Sequence, residues 1–174
     1  MSFLFFSCSS NEMKKEYKQL KSEKITIPDY EHAIIEGKDT LIEDCFKGNL
    51  KLVTFTDSTS CNSCSVETIY NWGELVKYAE QYGGQLDFYF IFTPKKYDVE
   101  DVQFALNHTT FKYPLILDSL GLFRTMNPHI PANKLFHTFL LNEENRVIMV
   151  GSPLHNSNVR KLFEDIVEEN LSKK

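Results

Sequence analysis

An alternating α/β chain built on one mixed sheet is the fold class that this sequence predicts, and three patterns carry the prediction. Two strand-length runs, Leu50–Phe55 (LKLVTF) and Leu86–Phe92 (LDFYFIF), flank a stretch whose apolar residues recur every three or four positions. The same alternation of strand and helix signals continues to Met126. A strand–turn–strand pattern and one long amphipathic stretch then end the chain. The expected order is βαβαβα followed by a β-hairpin and a helix, with a further hairpin ahead of it. Alternation first and a hairpin last implies a mixed central sheet with helices on both faces.

Size and composition bound the function. A chain of 174 residues is long enough for one domain with a substantial core. Its 42% hydrophobic and 25% charged content fits a globular domain, and 14 Phe with 8 Tyr suit an aromatic-rich sheet. The net charge is −5, and no basic cluster exceeds Lys14-Lys15 or Lys95-Lys96. A nucleic-acid partner is therefore not expected. No apolar run approaches the ~18 residues that a membrane-spanning helix needs.

The first 24 residues read as a signal remnant and a polar tether ahead of a domain over 25–174. Met1–Ser10 is MSFLFFSCSS, an apolar stub followed by Ser7 and Cys8. It resembles the tail of a bacterial lipoprotein signal, with Ser7 at the small position and Cys8 as the lipid acceptor. A basic leading segment is missing, and Phe3–Phe6 is shorter than the ~7–15 residues of a signal core. The other reading is an exposed apolar stub with a free thiol, which soluble proteins avoid. The lipoprotein reading predicts a chain held in the cell envelope, in the periplasm or at the outer membrane, by lipid at Cys8 alone. Asn11–Lys24 is rich in Lys and Glu and suits a solvated tether or frayed helix.

From Ile25 the elements follow in order. Pro28 marks an extended or edge segment. Ala33-Ile34-Ile35 and Thr40-Leu41-Ile42, around Glu36-Gly37-Lys38-Asp39, read as a hairpin. Cys45 reads as a small, part-buried core thiol. Phe46–Asn49 turns the chain into the strand that begins at Leu50. Beyond Cys64, the spacing of Val66, Ile69, Trp72, Val76 and Ala79 predicts one helix, stopped by Tyr82-Gly83-Gly84. Helices are expected at Asp98–Asn107 and Ser119–Met126, with a short strand between them at Tyr113–Leu117. Asn127–Lys134 is a loop with Pro128 and Pro131. Phe136–Leu141 and Arg146–Val150 form the closing hairpin around Asn142–Asn145, and Asn156–Asn170 the last helix.

Chemistry concentrates at Cys61-Asn62-Ser63-Cys64, between the strand and the helix. A cysteine at a helix start meets unpaired amide N–H groups and the positive end of the helix dipole. A thiolate is stabilised there, and its pKa falls from about 8.5 towards roughly 3.5–7.5. Cys64 lies one turn on and can attack a mixed disulfide formed at Cys61. Cys61 is thus the candidate nucleophile and Cys64 the resolving thiol. Half a zinc site is the first alternative, but His32, His108, His129, His137 and His155 are scattered and no second ligand pair follows. An inert structural disulfide is the second. No metal and no cofactor is called for.

With these residues in view, the chain resembles the thioredoxin-like superfamily, in the branch of extracytoplasmic thiol-disulfide oxidoreductases and alkyl hydroperoxide reductase-like proteins. The resemblance spans about Ile34 to Leu171. It rests on LVTFTDSTSCNSC as the strand and Cys-x-x-Cys, YPLILDSLGLFRTM as an inserted segment, and FHTFLLNEENRVIMVGSP as the closing hairpin. It implies a thiol-disulfide oxidoreductase whose partners are disulfide or dithiol proteins and a redox partner. Ser60, Asn62, Ser63, Phe136 and His137 would line the site. Three positions depart from the family pattern. Phe136 stands where a cis-proline is usual, and Pro131 could serve only with a loop five residues longer. Ser60 replaces an aromatic residue before the first cysteine. Thr54 replaces the buried Asp that helps deprotonate the resolving thiol in thioredoxins, which leaves Asp57 or Glu67 as proton acceptors. Two alternatives stand beside the oxidoreductase. One is a peroxiredoxin-like peroxidase, in which Ser58 matches the hydroxyl before the cysteine but Thr54 replaces the proline, and which needs Arg124, Arg146 or Arg160 to hold the peroxide. The other is a non-catalytic binding or assembly module on the same scaffold.

Overall fold

The computed structural model describes residues 5–42, 45–57 and 62–172, with only the backbone at 5–10 and 62–64. Seven strands form one mixed sheet. They are β1 (His32–Ile35), β2 (Lys38–Leu41), β3 (Leu50–Thr56), β4 (Leu86–Phe92), β5 (Leu115–Leu117), β6 (Thr138–Leu141) and β7 (Val147–Val150), in the order β2-β1-β5-β4-β3-β6-β7. β3, β4 and β5 run parallel, and β1 and β6 flank them antiparallel. The helices are α1 (Phe5–Leu20), α2 (Asn62–Glu67), α3 (Gly73–Glu80), α4 (Val99–Asn107), α5 (Leu122–Met126) and α6 (Ser157–Asn170).

Alternation along the central strands builds two cores. Leu50 and Leu52 of β3, with Phe88 and Phe90 of β4, face one side, where α2, α3, α4 and α6 cover them with Val66, Leu75, Leu106 and Phe163. Val53, Phe55 and Ile91 face the other side, against Phe123 of α5, Ile130 and Phe136. Leu20 and Ile25 also belong to this second core, so the last turn of α1 docks on the domain. β4 is buried at every position, as expected for a strand covered on both faces. The mixed sheet with helices on both faces is the predicted architecture.

Three boundaries and the burial of one cysteine differ from the sequence reading. The N-terminal hairpin turns on two residues, Glu36 and Gly37, with φ of +49° and +74°, so β2 begins at Lys38. The helix expected after Cys64 is broken. Thr68 ends α2, its Oγ1 donating to the Ser65 carbonyl at 3.2 Å, and a 3₁₀ turn over Ile69–Trp72 precedes α3. The three-residue period of that turn lets both Ile69 and Trp72 face the sheet, where Trp72 meets Phe88 and Phe90 edge-on. The last hairpin begins at Thr138, because Lys134–Phe136 forms another 3₁₀ turn. Cys45 is exposed rather than part-buried, in the connection between β2 and β3.

At the amino end of the parallel strands, Asp87 accepts a hydrogen bond from the Gly48 amide. A Cβ on Gly48 would stand 2.9 Å from this carboxyl group, so glycine is required for the approach. Burial raises the Asp87 pKa to about 6, opposed by the Gly48 hydrogen bond and the Lys51 charge. The folded chain therefore holds this proton to higher pH than the unfolded chain does. The resulting contribution is favourable below the ordinary carboxylate value and is lost as pH rises through 6. Asp87→Asn keeps an acceptor without the charge. It is expected to gain about 2 kcal/mol at pH 7 and little at pH 4, measured by urea unfolding. A variant less stable than the parent at pH 7 would refute this account.

Candidate functional site

The carboxyl ends of β3, β4 and β5 are level. The Thr93 amide donates to the Thr56 carbonyl at 2.9 Å, and the Asp118 amide donates to the Phe92 carbonyl at 2.8 Å. The connections after these strands leave the sheet at one edge, where ligand and reactive sites of open α/β sheets gather. β6 starts at the same edge, its approach fixed by the Phe55 amide donating to the His137 carbonyl at 3.0 Å.

The chain leaves β3 through Asp57 and enters α2 at Asn62. Ser60 and Cys61 lie outside the described residues. Asn62, Ser63 and Cys64 form the first turn of α2, with their side chains outside the description. Cys8 falls in α1, its side chain also outside it. α2 has only six residues. Dipole stabilisation falls off within the first turn, so any effect at its start rests on local amides rather than on helix length.

Asp57 and His137 come together under this connection. Both are buried, and Asp57 Oδ2 lies 4.0 Å from His137 Nε2. The His137 ring stacks on Phe55, with centroids 4.3 Å apart. Its Nε2 lies 3.2 Å from the Pro131 carbonyl, which can only accept, so Nε2 carries the proton and Nδ1 is the basic nitrogen of the neutral ring. Burial pushes the His137 pKa below its usual value, with Asp57 opposing. Glu67, the other candidate acceptor, is exposed on α2.

Phe136 does not project from a strand. It closes the 3₁₀ turn and is buried in the second core. Pro131 sits in the loop before it and contributes its carbonyl to His137. Thr54 faces the opposite side from His137. Its hydroxyl meets that of Thr138 across the β3–β6 pair at 3.0 Å. Behind α2, a cavity of about 310 Å³ opens between these two threonines, Ile69, Trp72 and His155.

Sequence reasoning missed the residues that hold the loop ahead of β6. Arg124, considered above only as a peroxide-holding arginine, donates to the carbonyls of Ile130 and Pro131 at 2.6 and 3.4 Å. Asn133 caps the 3₁₀ turn, accepting from the Leu135 amide at 3.2 Å, and donates to Glu16 of α1 at 2.9 Å. Asn127 is fully buried and exchanges two hydrogen bonds with the Thr26 backbone. A capping asparagine before a short turn was the one legible signal. The long-range partners left none.

No family model matches the sequence, and no curated protein matches it. Solved structures do. The C-terminal domain of a candidate thiol-disulfide oxidoreductase from Bacteroides thetaiotaomicron superposes with a TM-score of 0.50 at 21% identity, over 86% of this chain and 99% of that one. The exposed lipoprotein thioredoxin of Streptococcus pneumoniae does so at 0.50 and 12%, over 78% and 97%. The fold is thioredoxin-like. The thioredoxin domain of a thiol-disulfide oxidoreductase from Bacteroides vulgatus is also similar, at a TM-score of 0.49 and 17% identity, over 83% and 98%. Among the described residues of this thioredoxin-like chain, no helix is long and apolar enough to cross a membrane.

The buried imidazole has a thermodynamic consequence. The unfolded chain binds a proton at His137 below pH 6.5, while the folded chain resists it. Stability is therefore present above that pH and is lost as pH falls through 6.5 towards the lower folded value. Buried His129 acts in the same direction. His137→Phe keeps the stack on Phe55 and is expected to flatten the dependence of unfolding free energy on pH between about 5 and 7. Equal slopes in variant and parent would show that the imidazole is not held neutral.

Proposed function

We propose that the protein is a thiol-disulfide oxidoreductase that exchanges dithiols and disulfides with other proteins of the cell envelope through Cys61 and Cys64. The observation that carries this reading is the place of the Cys-x-x-Cys in the fold. Cys64 stands in the first turn of α2, and Cys61 falls in sequence between that turn and β3, whose carboxyl end is level with those of the other parallel strands. The names of the structural neighbours, a candidate thiol-disulfide oxidoreductase and an exposed lipoprotein thioredoxin, support the same reading.

In the reductive direction the Cys61 thiolate attacks one sulfur of a substrate disulfide. The Cys61–substrate bond forms as the substrate bond breaks, and one substrate thiolate leaves. Cys64 then loses its proton and attacks the Cys61 sulfur. The mixed disulfide breaks, the second substrate thiolate leaves, and a Cys61–Cys64 disulfide remains. Two electrons pass to the substrate, whose thiolates take up protons. Oxidation of a substrate is the reverse sequence. With Thr54 in place of an acid, the buried Asp57–His137 pair serves as the proton acceptor, ahead of the exposed Glu67. Attachment through lipid at Cys8 would hold the domain at a membrane while α1 docks on it.

The peroxidase alternative has less support. Arg124 is engaged with loop carbonyls, and Arg146 and Arg160 pair with Glu144 and Glu164. A non-catalytic module would carry the same fold without redox cycling. The test is equilibration of the purified chain in a glutathione redox series, with thiol labelling as the readout. A single two-electron midpoint between about −270 and −120 mV is expected, and Cys64→Ala should accumulate mixed disulfides at Cys61. A Cys61–Cys64 pair that never equilibrates would sink the enzyme reading.

A further inference from the structure

A groove on the helical face beside α2 matches no part of the scheme above. It runs between α2 and α4 and encloses about 440 Å³. Its floor is apolar, from Val66 and Ala105. Its walls are two aromatic rings left open to solvent, Phe104 at 65% exposure and Tyr70 at 51%. Phe104 is a large apolar side chain on the face of α4 opposite its buried residues, Val102 and Leu106. Packing within the domain therefore does not explain it.

Both rings are fixed in place. The Tyr70 hydroxyl accepts from the Thr110 amide at 2.9 Å and lies 3.1 Å from the Thr109 hydroxyl, while its ring meets Phe111 edge-on. The Phe104 ring lies against His108, with centroids 4.0 Å apart, and His108 Nδ1 donates to the Phe104 carbonyl at 2.7 Å. Ordered aromatic walls lose little conformational entropy when a partner arrives. Charge sets the kind of partner. Glu67 of α2 and Asp101 of α4 stand at the rim, both exposed, and no lysine or arginine is among the described residues that line the groove. Asp101, Phe104 and Ala105 of α4 and His108 at its C-cap fall at helical spacing and make one continuous stripe.

We propose that this groove docks an extended segment of a partner protein in which a lysine or arginine stands beside an apolar residue. The apolar side chain enters between Phe104 and Tyr70. The cation meets Glu67 and Asp101 and can rest over an aromatic face. Val66 lies two residues beyond Cys64 on α2, so a segment held here runs alongside the helix whose first turn includes Cys64. In that respect the inference rests on the exchange reading, and it names the sequence class that the site selects.

The test uses the full chain and short synthetic peptides containing Lys-Phe or Glu-Phe, each with serine in place of cysteine so that no exchange can occur. The Lys-Phe peptide should bind about tenfold more tightly than its Glu-Phe counterpart. It should shift the ring signals of Phe104 and Tyr70 in NMR spectra, and its affinity should fall with added salt. The pair Glu67→Lys and Asp101→Lys, both at exposed positions, should reverse the preference, and Phe104→Ala should weaken both peptides. Equal binding of the two peptides, or shifts elsewhere without any at Phe104, would overturn the proposal. Cystine versions of the same peptides separate the two readings. Binding in the groove without disulfide exchange leaves the docking surface standing and removes the enzyme, whereas exchange with no preference between the peptides does the opposite.

Discussion

The placement of β3 between a parallel and an antiparallel neighbour is the constraint on which the rest of this structure depends. Seven consecutive residues pair with β4, and four of them also pair with β6. Both faces of the strand are then covered, so its backbone groups must be satisfied inside the sheet. Its side chains must also be apolar on alternate sides. Leu52 and Val53, adjacent in sequence, fill opposite cores, and neither is accessible to solvent. A one-residue slip would exchange the two cores and turn Thr54 into the wrong one. The register therefore fixes where the strand ends and where the chain must leave the sheet.

That exit point was legible because buried strands carry a simple signature. Long apolar runs and the sharp change to polar residues at Asp57 set the end of β3, and the cysteine spacing followed at once. The hairpins were legible from their turn residues, since Glu36-Gly37 and Asn142–Asn145 interrupt alternating strands. The helix after Cys64 was not, because apolar spacing at three and four fits an unbroken helix equally well. Only the sheet, with Phe88 and Phe90 waiting for Trp72, selects the tighter turn over Ile69–Trp72. Nor could spacing reveal the loop ahead of β6. Arg124 reaches carbonyls six and seven residues on, while Asn127 and Asn133 bond to Thr26 and Glu16, more than a hundred residues away, and no local pattern encodes such partners. Phe104 did leave a trace, an aromatic residue off the apolar face of its own helix, whose meaning depends on what α2 places beside it.

Charge is distributed unevenly between the two ends of the parallel strands. At the amino end, Asp87 is buried beside a glycine amide, and desolvation outweighs the single hydrogen bond and the Lys51 charge. At the carboxyl end, Asp57 and His137 are buried together. There the carboxylate opposes the desolvation of the imidazole, which still favours the neutral ring. Asp57 faces the Nε2–H side of a neutral ring, a weaker pairing than a charged couple, while Nδ1 stays a proton acceptor in a buried site.

Thr54 shows why this acceptor lies on the opposite face of the sheet from the helices α2 and α3. An acid at Thr54 would be buried against Phe90 and Phe92 with the threonine of β6 as its main polar neighbour. Two hydroxyls placed opposite each other satisfy most of their own hydrogen-bonding needs without a charge, and Thr–Thr pairs stabilise antiparallel strands by roughly 0.2–1 kcal/mol. The pair thus spares the face beneath α2 a desolvated carboxylate. On the side of β3 that carries Asp57, the 3₁₀ turn, the Arg124 contacts and Asn133 together hold the loop that leads into His137. The loop's hydrogen bonds fix the tautomer, because with Nε2–H donating to the Pro131 carbonyl it is Nδ1 that is left to accept a proton.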